Sequence, residues 1–149
     1  MGIDIINDRI LRIMRVDGRI SNAELAEKIG LSPSACLRRV QELERTGVIS
    51  GYRAVLDRVK LGQGFVAYVA VGLSEHTKSA QKNFEAEIAS IDEVVECHNM
   101  TGSFEYLLRV ETTDLLAYKA FHTDVLGDLP KVSTISTHVV METTKDARE

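Results

Sequence analysis

Apolar residues in the first 50 positions recur every three to four places, the period of helices that bury one face. Ile6, Ile10, Ile13 and Met14 share one stripe behind Asp4, a plausible N-cap, and the pattern stops at Asp17-Gly18. Ser21-Asn22-Ala23-Glu24 opens a second helix with a capping box, in which hydroxyl and carboxylate satisfy each other's orphan amides. Leu25, Ala26 and Ile29 give its buried face, and Gly30 ends it. Ser32 then caps a third helix, with Pro33 at its first position, where a missing N–H costs nothing. This helix runs to Thr46-Gly47 and is expected to bury Leu37, Val40 and Leu43. Val48-Ile49 and Tyr52-Arg53-Ala54-Val55 read as two arms of a wing around Ser50-Gly51.

Beyond residues 56–64, a two-glycine stretch of mixed charge read as a hinge, the pattern changes. Phe65–Leu73 is apolar on both faces, as in a doubly covered strand. Phe84, Ile88 and Ile91 mark a helix, and Val94–Met100 and Phe104–Val110 two strands. Leu115, Tyr118, Phe121, Val125 and Leu126 mark a second helix, and Val132–Met141 a last strand. The chain is thus α+β: a winged helix-turn-helix over 1–55, the hinge, and a βαββαβ ferredoxin-like domain over 65–149. Both helices should cover one face of that sheet. Apolar positions on the other face call for a partner, most simply a two-fold dimer packing sheet on sheet.

Composition bounds the class without altering this picture. With 44% apolar and 27% charged residues in 149, the chain is globular. No apolar run reaches the roughly 18 residues of a membrane span, and the N-terminus lacks a signal-peptide core, so a cytoplasmic location with no membrane partner is expected. Cys36 and Cys97, 61 positions apart, fit neither a disulfide framework nor a zinc cluster and read as reduced thiols. Charge is more informative. The net charge of -4 divides into +3 over residues 1–60 and -7 over residues 61–149. A polyanion could meet only the first half.

A helix-turn-helix of positive charge suggests double-stranded DNA as the partner. Ser32, Ser34 and Ala35 are short enough at the start of the third helix for close approach to a major groove. Arg38 and Arg39 follow one turn later, able to reach phosphates or guanine edges. Arg53, in the wing, would sit over the adjacent backbone. An arginine pair on a helix can equally be solubilising charge, and Cys36 reads as a semi-buried helix residue.

Chemistry in the second half gathers at Met100-Thr101-Gly102-Ser103-Phe104-Glu105-Tyr106. Gly102 admits close backbone approach, Thr101 and Ser103 offer amides and hydroxyls to a carboxylate, and Glu105 could pair with an ammonium group. Together they could hold an amino acid; the same residues also suit a polar hairpin turn. Thr134, Ser136 and Thr137 bring further hydroxyls, which also suit cross-strand pairs. No metalloprotease motif, phosphate-binding loop or dinucleotide fingerprint occurs. His76, His98, His122 and His138 form no local dyad, so neither an enzyme nor a cofactor is expected. A small-molecule sensor acting through protein contacts remains the alternative.

The ordered motifs Asp17-Gly18-Arg19-Ile20-Ser21-Asn22, Glu24-Leu25-Ala26, Gly30-Leu31-Ser32-Pro33-Ser34, Cys36-Leu37-Arg38-Arg39-Val40, Leu43-Glu44 and Gly47-Val48-Ile49 resemble the Lrp/AsnC (feast/famine) regulators. The resemblance extends through the second half. It implies a transcriptional regulator whose RAM/ACT-like domain pairs into dimers, and whose dimers assemble into octamers that bend DNA. It further implies that Met100, Thr101, Gly102, Ser103, Glu105 and Tyr106 line an amino-acid effector site between dimers, with Thr134 and Ser136 near it. The loop resembles the family's G-x-[FY]-D-Y segment, with Glu105 where aspartate is usual.

Overall fold

A computed structural model describes residues 3–146. The chain divides into two compact units at Ala54/Val55, which places the 56–64 segment with the second unit.

In the first unit, α1 (Ile5–Val16), α2 (Asn22–Ile29) and α3 (Pro33–Arg45) follow their local signals closely. Asp4 accepts from Asn7 N, and Ser32 Oγ accepts from Ala35 N with Pro33 behind it. Ser21 and Glu24 complete the reciprocal capping box. Gly30 ends α2 at φ 76°, a conformation that favours glycine. The core is Ile10, Leu25, Ala26, Ile29, Cys36 and Leu43, with Ile6, Ile13, Met14, Val40 and Ile49 packed around it.

Two expectations are corrected here. Cys36 is fully buried, whereas Leu37, expected inside, is 45% exposed. Adjacent helix positions point about 100° apart, so the core takes 36, 40 and 43 and leaves 37 on the flank of the buried stripe. No strand forms over residues 48–55, so the wing's arms lack a ladder. The segment is held instead by Ile49 N donating to the Leu43 carbonyl and Tyr52 Oη donating to Glu44.

The second unit contains β1 (Phe65–Leu73), α4 (Lys78–Ile88), β2 (Val94–Asn99), β3 (Tyr106–Thr112), α5 (Leu115–Ala120) and β4 (Val132–Val139). A π-helical stretch, Phe121–Leu126, continues α5. The strands form one antiparallel sheet in the order β2-β3-β1-β4, the ferredoxin-like arrangement. Ala67, Val69, Val71 and Leu73 of β1 and Tyr106, Leu108 and Val110 of β3 form the inner face with Phe84, Ile88, Tyr118, Phe121 and Leu126. The π turn brings residues five apart, Phe121 and Leu126, onto the same side. Leu115, expected in this core, is 63% exposed in the first turn of α5.

The opposite sheet face is less apolar than expected. Register places Val66, Tyr68, Ala70 and Leu107 along its centre. They are flanked by Thr134, Ser136 and His138 on β4 and by Glu96 and His98 on β2. Arg109 and Glu111 occupy the end of β3, where Arg109 Nε donates to Glu111 and its guanidinium lies 6.0 Å from the Tyr68 ring centre. Arg58, from a turn in the 56–64 segment, forms an ion pair with the same Glu111, whose side chain is 2% exposed.

Candidate functional site

α3 presents Ser34, Leu37, Arg38 and Gln41 to solvent, at the i, i+3, i+4, i+7 spacing of one helical face. The order offers a small hydroxyl, an apolar surface suited to a thymine methyl, a guanidinium and an amide able to pair bidentately with adenine. From sequence, Leu37 was assigned to the core and Gln41 was not singled out. Counting 3.6-residue steps from Ser34 would have found them.

The two arginines have different roles. Arg38 is exposed, whereas Arg39 Nη1 donates to Asp4 Oδ2 at 2.7 Å and to Asn7 Oδ1 at 3.0 Å, tying α3 to the start of α1. The Arg39 contact is the foremost cause holding the Asp4 carboxyl below its usual range. Arg39 is therefore a fastening between helices, and the expectation of two arginines directed outward is corrected to one. Ala35 is half-buried, and the Ser32 hydroxyl is occupied with its cap and with Ser34 Oγ at 3.3 Å. Asn22 Nδ2 donates to the Pro33 carbonyl, fixing the turn ahead of α3. Arg53 is exposed. Tyr52 Oη lies 2.7 Å from Glu44; burial foremost, then Glu44, raise its pKa to about 12.

In the second unit, Met100 N donates to the Glu105 carbonyl, closing residues 101–104 into a tight loop between β2 and β3. Thr101, Gly102 and Ser103 are exposed. Gly102 adopts φ 117° while a Cβ there would meet nothing, so glycine serves conformation rather than clearance. Glu105 lies on the open face of the sheet, opposite to Tyr106, with its side chain 15% exposed. Its Oε2 accepts from Leu73 N at 2.8 Å, and its Oε1 lies 2.6 Å from His76 Nδ1. Thr134 packs over Gly72, where a Cβ would clash with its Oγ1 and lie 3.6 Å from Glu105 Oε2. Gly72 and His76, neither inferred from sequence, thus belong to this cluster with Glu105 and Thr134. Ser136 lies further along β4, its Oγ 3.3 Å from His138 Nε2.

Two expected members lie elsewhere. Tyr106 is 1% exposed on the inner face, its ring 4.6 Å from that of Phe84 and its hydroxyl donating to Glu85 at 2.7 Å. Burial foremost, then Glu85, drive its pKa far above 10. Side chains alternate along β3, so Glu105 and Tyr106 cannot serve one face. Thr137 likewise faces inward and meets Tyr118 Oη. Cys97, beside them, is raised to about 11 by burial and then by Glu85, which keeps it a neutral thiol.

Comparisons with known proteins agree with this division. Residues 3–50 match the winged helix-turn-helix DNA-binding family, and residues 66–149 match the Lrp/AsnC ligand binding domain. The leucine-responsive regulatory protein of Salmonella typhimurium is 39% identical over 145 residues, covering 97% of this chain and 88% of that protein. A transcriptional regulator from Neisseria meningitidis, solved as a complex with L-methionine, superposes with a TM-score of 0.93 at 32% identity, covering 97% and 94% of the two chains. An AsnC family regulator from Agrobacterium tumefaciens gives 0.92 at 35% identity, covering 98% and 95%. The chain belongs to the Lrp/AsnC family of transcriptional regulators, with a DNA-binding winged helix-turn-helix followed by the family's ligand-binding domain.

Proposed function

We propose that α3 enters the major groove with Ser34, Leu37, Arg38 and Gln41 toward the bases, while Arg53 meets the phosphate backbone. An amino acid bound by the 100–105 loop with Thr134 modulates that binding. The observation carrying the first half is that one face of α3 is free of its unit's core while Arg39 is committed to α1. The second half is supported by a mostly buried carboxylate, Glu105, at the foot of the loop that carries the exposed residues Thr101 and Ser103. Such a cluster can receive an ammonium and a carboxylate from one small molecule. The Neisseria relative's complex with L-methionine supports an amino acid as ligand.

The apolar centre of the open sheet face, Val66, Tyr68, Ala70 and Leu107, supports pairing sheet on sheet into a dimer, with octamers as the higher assembly. Joining two DNA-binding units raises the effective concentration of the second contact. An effector alters the output by binding one assembly better than another.

The test is selection of duplexes from a random library, then anisotropy measurements on the winning sequence with each of the twenty amino acids. Mass measurements in solution accompany them. Binding that weakens steeply with salt, changes with at least one amino acid and comes from a dimer or larger species is expected. Failure to enrich any duplex at low salt would overturn the DNA half; indifference to all twenty would overturn the effector half.

A further inference from the structure

We infer that His76 is a specificity-determining residue of the effector site, an internal occupant of the carboxylate oxygen that a ligand's ammonium group must take. This rests on the proposed effector reading of Glu105. Both Glu105 oxygens are engaged: Oε2 accepts the Leu73 backbone N–H at 2.8 Å, and Oε1 faces His76 Nδ1 at 2.6 Å. The first partner is main chain within the sheet and cannot withdraw without breaking β1. The second is a side chain 77% exposed, in the short loop between β1 and α4, and can rotate into water at little cost. An arriving ammonium therefore displaces His76 and leaves Leu73 N in place.

The surroundings hold the imidazole within reach. Lys131 Nζ pairs with Glu75 at 2.8 Å, and Ser74 N donates to the Lys131 carbonyl. The 74–76 loop is thereby anchored to the residue that precedes β4, the strand that carries Thr134. Lys131 holds φ 64°, uncommon for a residue with a side chain, in making this anchor. His76 thus remains local to Glu105 when displaced, and its return competes with the ligand at constant effective concentration. Competition of this kind acts only on the ammonium end of the ligand.

The test is calorimetry on the full-length protein, wild type, His76→Ala and Glu105→Gln, with the twenty L-amino acids. Each amino acid that binds is paired with its desamino carboxylic acid. Removing an exposed partner of Glu105 is expected to tighten amino-acid binding about two- to fivefold, leaving the desamino acids unchanged. An amino acid that binds only the His76→Ala protein would also support the inference. Equal or weaker binding by His76→Ala, with Glu105→Gln weakening it, would overturn the role of His76 and leave the Glu105 site standing. Equal tightening for desamino acids would show a general loosening and also overturn it. No binding to wild type or His76→Ala, or binding indifferent to Glu105→Gln, would remove the underlying site and the inference with it.

Discussion

Glu111 is a buried charge in the second unit, and its removal can be costed from its neighbours. Its side chain is 2% exposed, between the guanidinium of Arg109, itself 12% exposed, and that of Arg58, which is 37% exposed. Breaking a buried ion pair from one side costs about 3–5 kcal/mol, because the remaining charge is left without compensation. In Glu111→Gln, Arg109 retains Asp146 at 3.9 Å, which places the loss near the lower bound, about 3 kcal/mol. In Arg58→Ala, Glu111 keeps Arg109 and the lost guanidinium was partly solvated, so about 1 kcal/mol is expected. Urea unfolding followed by far-ultraviolet circular dichroism separates them. With a slope of about 2 kcal/mol/M, the second unit's midpoint should fall by about 1.5 M for Glu111→Gln and about 0.5 M for Arg58→Ala. Equal protomer concentrations are needed, since assembly stabilises the folded state by mass action. In the double variant, Arg58→Ala should add little to Glu111→Gln. Equal shifts for the two single variants, or a negligible one for Glu111→Gln, would refute the view that Glu111 anchors the 56–64 segment to β3.

Two further outcomes follow from single contacts. Tyr52 titrates near 12 when folded against about 10 unfolded, so the folded state holds its proton more tightly; that stability is full below pH 10 and is lost as pH rises from about 10 to 12. Thermal unfolding of wild type should therefore fall more steeply across that window than Tyr52→Phe, and matching slopes would disprove the assignment. Gly72→Ala brings a Cβ into clash with Thr134 Oγ1 and should cost about 1–3 kcal/mol in chemical denaturation. Adding Thr134→Ala should recover most of that loss; no recovery would locate the strain elsewhere.

What could be read along the chain was what short-range chemistry decides. Ser21 with Glu24, and Ser32 with Pro33, define helix starts within one turn, and both behave as their spacing requires. The unbroken apolar run over 65–73 marked β1 to its full extent. The partners of charged residues were not legible, because they come from distant positions. Arg39 is claimed by Asp4, 35 residues away, and Glu105 by Leu73 N, 32 residues away. The loop motif likewise joins Glu105 and Tyr106 as neighbours, while the pleat sends them to opposite faces of the sheet. The wing's arms failed to form strands because residues 48–55 are tied to α3 through Leu43 and Glu44 rather than to each other.

The central claim, that one face of α3 reads DNA while Arg39 fastens the domain, is tested most directly by anisotropy titrations of a selected duplex and a scrambled one. Wild type, Arg38→Ala and Arg39→Ala are compared at two salt concentrations. Loss of a base contact costs about 1–3 kcal/mol, so Arg38→Ala should weaken the selected duplex by about five- to 150-fold and narrow its advantage over the scrambled one. Arg39→Ala should preserve that advantage while lowering the first unit's thermal stability. Undiminished discrimination by Arg38→Ala, or its loss in Arg39→Ala with the fold intact, would contradict the account.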